Sequence, residues 1–345
     1  MKAKSRIFGL LIIGLACFSM ICFNAGQADA ADKVFKWKMQ THWPASSSSF
    51  EDSAKVVVEK LKKRTNGRLD IELYPSPALV PPTELFDACK RGMLPIIVTS
   101  SAYPRDQVPL MDIASGLPMN FKNVWEIIYF NKWLGFDDMV QASFNQHGLY
   151  YVPDKVYPTE LSVKKPVKSM DDFKGLKLRS SGILQVFLSS IGAAASMLPG
   201  SEIYTALSSG VIDGAHWGAV QGSDSMKFYE VSKYHLRTPL NFAQTDIWLV
   251  NIKAMEKLPQ DIQDILKDTL EEHFWLRTNQ YQYQEEITLA KIQKEKGVTV
   301  TTLPDADYNK MKAAAMVTWD EAAKRNPENA KAVQMLKDFL VTLGR

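Results

Sequence analysis

The sequence predicts an α/β protein of two lobes, with a long helix towards its C-terminal end. Three observations carry this. Strand, helix and strand patterns follow one another between positions 35 and 73, which makes a βαβ unit and an at least partly parallel sheet. A pattern of cap, acid, apolar pair, alanine and glycine recurs at one spacing, in Thr83 to Gly92 and again in Ser201 to Gly210. Residues 259–296 contain nothing that breaks a helix, and at 1.5 Å per residue that stretch would span about 57 Å, longer than one lobe. Short capped helices before strands are common, so the recurrence alone leaves chance and duplication level.

The chain opens on Lys2, Lys4 and Arg6, then a mostly apolar run from Ile7 to Phe23, then Ala28-Asp29-Ala30. This is the layout of a secretory signal peptide, 1–30, cleaved near Ala30. The run is interrupted by Gly9, Gly14 and Ser19 and is short for a span of about 20 apolar residues. Phe35, Trp37 and Met39 then alternate with Lys36, Lys38 and Gln40, a strand with one buried face. A helix is expected from about Ser49, with Ala54, Val57, Val58 and Leu61 on one side. Asn66-Gly67 ends it after Lys62, Lys63 and Arg64, where cations suit the helix dipole. Leu69, Ile71 and Leu73 alternate again. Thr83 is expected to cap a short helix stopped at Gly92, and Ile96-Ile97-Val98 is the next strand. In the second half, Leu176 to Arg179 reads as a strand and Ile183 to Ile191 as a helix ended by Gly192. Two amphipathic helices are expected in the tail, over 311–323 and 330–343.

Charge and cysteine content narrow the function. The chain has 41 basic and 38 acidic residues. Loss of Lys2, Lys4, Arg6 and Asp29 with the leader leaves 38 against 37. This balance argues against a nucleic-acid partner, which needs a clustered basic surface. Cys17 and Cys22 also leave, so Cys89 has no disulfide partner, and its apolar neighbours make it a small buried hydrophobe. The five histidines give no ligand pair four residues apart, and no Gly-x-Ser-x-Gly elbow or glycine-rich phosphate loop is present. Nothing here argues for an enzyme.

Binding is the alternative. Ligands of parallel sheets gather beyond the carboxyl ends of the strands. Those ends hold Thr41-His42-Trp43-Pro44, Thr99-Ser100-Ser101 with Tyr103, Arg179-Ser180-Ser181 and Ala215-His216-Trp217. Arg179 could fork a carboxylate through its planar guanidinium, with Trp43 and Trp217 covering the apolar part of a small organic anion. Each has a plainer role open to it: Arg179 paired with Asp172, Trp43 as core, His216 as a hydrogen-bonded core histidine, Tyr103 at the surface.

With these residues in view, the chain resembles the extracytoplasmic solute-binding proteins of tripartite ATP-independent periplasmic (TRAP) transporters. The resemblance rests on Trp37 to Pro44, Phe173 to Arg179, Ile191-Gly192-Ala193 and Leu207 to Trp217. It implies a two-lobed periplasmic binding protein with a ligand cleft between the lobes and no catalysis. The division expected is 31–158 for the first part of lobe 1, 159–245 for lobe 2, and 246–345 for the return to lobe 1. Arg179 stands at the position of the family's carboxylate-binding arginine. Met39-Gln40-Thr41 and the Gly210, Asp213, Trp217 spacing are similar to the branch that takes α-keto acids and related monocarboxylates. By the same resemblance Tyr103, Thr159, Phe242 and Gln244 fall near ligand contacts. Some of that branch place sodium or calcium at the ligand through a glutamate just before the tryptophan. His216 stands there instead, and a neutral imidazole suits hard cations poorly, so no cofactor is expected, with a bound sodium or calcium ion left open. The implied partners are a small organic carboxylate and the TRAP membrane permease, with monomer and dimer both open. The rival readings are an exported enzyme on a small keto or hydroxy acid, with His216 as base, and a ligand-sensing subunit of a signalling receptor.

Overall fold

The computed structural model describes residues 33–345; the expected leader, 1–30, lies outside them. Nine strands form one sheet: β1 (Phe35–Thr41), β2 (Leu69–Tyr74), β3 (Ile96–Ser100), β4 (Leu149–Val163), β5 (Lys177–Arg179), β6 (Ala194–Ser196), β7 (Gly214–Ala215), β8 (Tyr234–Asn251) and β9 (Thr299–Thr301). Their order is β2-β1-β3-β8-β4-β7-β5-β6, with β9 beside β8. In the first half β1 lies parallel between β2 and β3; in the second, β5 lies parallel between β6 and β7. The halves therefore share one build. They are joined by β4 and β8, antiparallel to each other and long enough to belong to both.

Helices cover both faces. The first begins as a π turn at Phe50–Lys55 and continues as α1 (Val56–Arg64), burying Ala54, Val57 and Leu61. Gly67 adopts φ 78° just beyond it, a backbone that glycine tolerates best. The recurrent segments become α2 (Leu85–Lys90) and α4 (Gly200–Ser209), on either side of α3 (Gly182–Ser190). The expected caps are not made. Thr83 lies inside a 3-10 turn, Pro82–Glu84, and Pro199 rather than Ser201 precedes α4. Proline suits a helix start because the first N–H groups have no partner in any case.

After the short α5 (Val220–Ser225) comes α6 (Gln260–Lys296), one unbroken helix of 37 residues closed by Gly297 at φ 64°. Its first half ties to the first lobe: Arg64 bonds to Thr269 and Glu272. Its second half ties to α5: Glu285 and Lys296 bond there. The tail forms α7 (Asp305–Lys324) and α8 (Pro327–Thr342), which pack on each other; α7 also rests on α3.

The sheet separates two apolar layers. Along β8, Ile247 and Leu249 face one, Trp248 and Val250 the other, as the two-residue period of a strand requires. Cys89 is fully buried, donating to the Leu249 carbonyl. No helix among the described residues is long and apolar enough to cross a membrane.

Candidate functional site

One cavity collects side chains from both halves and from the two joining strands. The end of β1 supplies His42 and Trp43; the turn after β3 supplies Tyr103; β5 supplies Arg179; the loop after β7 supplies His216 and Trp217. Strands β4 and β8 add Lys155, Tyr157, Gln244 and Asp246, and α6 adds Tyr281. The cavity is small, about 40 Å³, which is room for about three waters at ~10–15 Å³ each.

Arg179 is 2% exposed. Its Nε donates to the Leu198 carbonyl at 2.9 Å and an Nη to the His216 carbonyl at 3.1 Å. Its guanidinium carbon lies 5.4 Å from the Trp217 ring centre, a cation–π contact. Among the described residues no carboxylate pairs with it. Asp172, its plausible partner by sequence, instead accepts from the backbone N–H groups of Lys168 and Ser169. Burial pulls the guanidinium's pKa down, opposed by Tyr103. A buried cation held by two carbonyls and lacking an anion is an unfinished ion pair.

His216 shares a hydrogen bond of 3.0 Å between Nε2 and Ser180 Oγ. Burial, then the charge of Arg179, push its pKa well below the ordinary value, so it stays neutral near pH 7. Trp217 donates weakly to Ser47 Oγ at 3.4 Å. Two glycines make room for this loop. A Cβ on Gly218, at φ 71°, would lie 2.4 Å from Tyr281 Oη, and one on Gly222 would lie 1.9 Å from the Trp217 carbonyl oxygen. Neither approach is possible for another residue.

A charged cluster that sequence reasoning missed forms part of the cavity wall and extends behind it. Lys155 Nζ sits 2.8 Å from Asp154 and 3.0 Å from Asp246. Asp246 also accepts from Tyr157 Oη at 3.1 Å and meets His42 Nε2 at 3.0 Å. Asp154 accepts from Ser53 and Trp248 and meets His273. The available signal was Asp154 and Lys155 between Val152 and Val156, and Asp246 before the apolar run Ile247 to Val250, since a charge buried in a sheet has to be paired.

Six expected site residues therefore meet in one place: Arg179, Trp217, His216, Trp43, Tyr103 and Gln244. Two do not. Thr159 is buried without lining the cavity, and Phe242 lines a separate surface hollow with Phe121, Lys122 and Tyr308. The cause is a register shift between β4 and β8. Tyr157 pairs with Gln244, but Thr159 pairs with Asn241, so the alternation that would have carried both residues to the cavity is lost. Gln40, from the resembling segment, bonds to the backbone of Leu79 and Val80.

Residues 39–326 match the family described as DctP, bacterial extracellular solute-binding protein, family 7. The chain belongs to this family of TRAP solute-binding proteins. The receptor is 30% identical over 271 residues to a monocarboxylate 2-oxoacid-binding periplasmic protein of Nostoc, covering 75% of this chain and 71% of that one. It is 26% identical over 219 residues to the C4-dicarboxylate-binding protein DctP of Rhodobacter capsulatus, covering 62% and 64%. Its fold matches a TRAP solute-binding protein of Pseudoalteromonas atlantica with bound sodium and pyruvate. That match has TM-score 0.82, 23% identity and coverage of 90% and 95%. Members of the family bind solutes outside the cell, and the Nostoc and R. capsulatus relatives are named for organic acids.

An enzyme using His216 as base would need a second titratable group close by, and the two acids nearest to it in sequence, Asp213 and Asp224, do not line the cavity. Asp213 accepts from the Lys177 N–H, and Asp224 pairs with Lys291 and Lys296. A second buried cluster supports the Trp217 loop. Glu285 of α6 accepts from the N–H groups of Val220 and Gln221 at 2.8 and 2.9 Å. Burial, then the nearby Glu160, push its pKa up from 4.5 to about 8, opposed by those N–H groups and Arg237. A folded value above the unfolded one gives stability that is complete below pH 4.5 and lost as pH rises through 8. Thermal or urea unfolding should show a loss of about 2 kcal/mol between pH 6 and pH 8 from this group. Glu285→Gln should flatten that slope.

Proposed function

We propose that the protein is a periplasmic receptor for a small 2-oxo monocarboxylate of pyruvate size, which it hands to a TRAP membrane permease. The unpaired guanidinium of Arg179 is the observation that carries this reading. A ligand carboxylate would take both forward N–H groups of the fork and complete the ion pair. The neutral His216 and Tyr103 offer hydrogen bonds to the remaining oxygens. Trp43 and Trp217 cover the apolar end. The tight cavity favours an acid of few atoms, and the Nostoc relative is named for the same class. Because Arg179 and Trp217 come from one half and His42, Trp43 and Tyr103 from the other, a bound acid stabilises the closed arrangement of the lobes.

The P. atlantica neighbour is described with sodium, but the donors here do not fit a hard cation. The position before Trp217 holds an imidazole, both oxygens of Asp246 are engaged, and Lys155 and Arg179 would repel the ion. Calorimetry with pyruvate tests both points. Binding should be measurable, and protein dialysed against EDTA should bind within about twofold of untreated protein, well under the 1.4 kcal/mol of a tenfold change. No heat with pyruvate or any small 2-oxo acid would refute the ligand class. A large loss with EDTA would refute metal-free binding.

A further inference from the structure

We infer that Asp246 determines specificity, by consuming the charge of Lys155 so that the cavity accepts a monoanion and rejects a dianion. This rests on the acid-receptor reading above and goes beyond it. Three charged side chains line the cavity: Arg179, Lys155 and Asp246. Of the two cations, only Arg179 lacks a carboxylate. The ammonium of Lys155 is held at 3.0 Å by Asp246 and at 2.8 Å by Asp154 from behind. It is 1% exposed and lies 4.7 Å from the Trp43 ring centre and 5.0 Å from that of Tyr157. Asp246 is fixed by a hydrogen bond from Tyr157 and by His42 on its other oxygen. Counted over Arg179, Lys155 and Asp246, the lining carries one net positive charge.

A monocarboxylate brings that lining to neutrality. A dianion would leave one negative charge unmatched, facing the carboxylate of Asp246 across a cavity of about 40 Å³. Two like charges at such range in a low-dielectric site repel strongly. A second carboxylate could be met only if Lys155 left Asp246, which would strand an acid that is 2% exposed.

The test separates charge from size. Oxalate has the same number of non-hydrogen atoms as pyruvate and carries two negative charges at pH 8. Calorimetry of the full receptor at pH 8 should show pyruvate bound at least tenfold more tightly than oxalate. Asp246→Asn keeps the side-chain shape and removes the charge. It should raise the ratio of oxalate to pyruvate affinity at least tenfold, with circular dichroism confirming the fold. Equal affinities in the unaltered receptor would overturn the charge filter while leaving the acid receptor intact. So would an unchanged ratio in a folded Asp246→Asn protein. Failure of the unaltered receptor to bind either acid would overturn the receptor reading, and the filter with it. The comparison in the unaltered protein decides the matter even if the variant does not fold.

Discussion

Arg179→Ala is expected to weaken pyruvate binding by about 30-fold to several thousand-fold, the usual range for removing one partner of a buried, hydrogen-bonded charge pair. The loss arises because the ligand carboxylate would enter a dry site with its fork missing, close to Asp246. Arg179→Lys should recover little, since an ammonium cannot present two parallel donors. The free protein should respond differently. It gives up hydrogen bonds to the carbonyls of Leu198 and His216, about 1 kcal/mol each. It also sheds a buried cation with no carboxylate partner, so unliganded stability should change little. Calorimetry gives the first quantity and melting without ligand the second. A variant that keeps affinity within tenfold would remove Arg179 from the site. One that melts far below the parent protein would make the arginine structural.

Much of this arrangement was legible in the sequence, and what was missed has a physical cause. The strand over 35–41 and the helix over 260–296 are clear because each has one face in the core and one towards solvent, so composition alternates with the period of the element. Strand β4 gave no such signal. It is buried on both faces, and Pro153, Pro158, Asp154, Lys155 and Glu160 interrupt it, residues that ordinarily argue against a central strand. The structure accommodates them where register is lost: the shifts with β8 fall between Pro153 and Lys155, between Tyr157 and Thr159, and between Thr159 and Leu161. Missing β4 hid Lys155 and Tyr157, and with them the partners of Asp246. The same shifts displaced Thr159 and Phe242 from the cavity. Arg179, His216 and Trp217 stood out in the sequence because Arg179 ends one short parallel strand and the other two follow another, where chain direction alone brings residues to the edge at which ligands gather.

Lys155→Met is expected to lower stability by about 3–5 kcal/mol near neutral pH, because it leaves two buried carboxylates without their shared cation. The pH dependence of that deficit tells charge from packing. In the parent protein, burial would raise both acids. Lys155 and His273 outweigh it for Asp154, and Lys155 and His42 for Asp246, so both sit below the ordinary 3.8. Depressed folded values give stability that is present above pH 3.8 and lost as pH falls through the folded values. Without Lys155 the burial contribution dominates and the folded values move upward, so protonation relieves the variant on acidification while it penalises the parent. The gap in unfolding free energy should therefore be widest near pH 7 and narrow towards pH 4, as read from urea unfolding at each pH. A deficit that stays constant across that range would mean Lys155 acts through its contacts with Trp43, Tyr157 and Tyr281. The ion pair behind the cavity would then contribute nothing to the fold, and the charge of Lys155 would be free to meet a ligand.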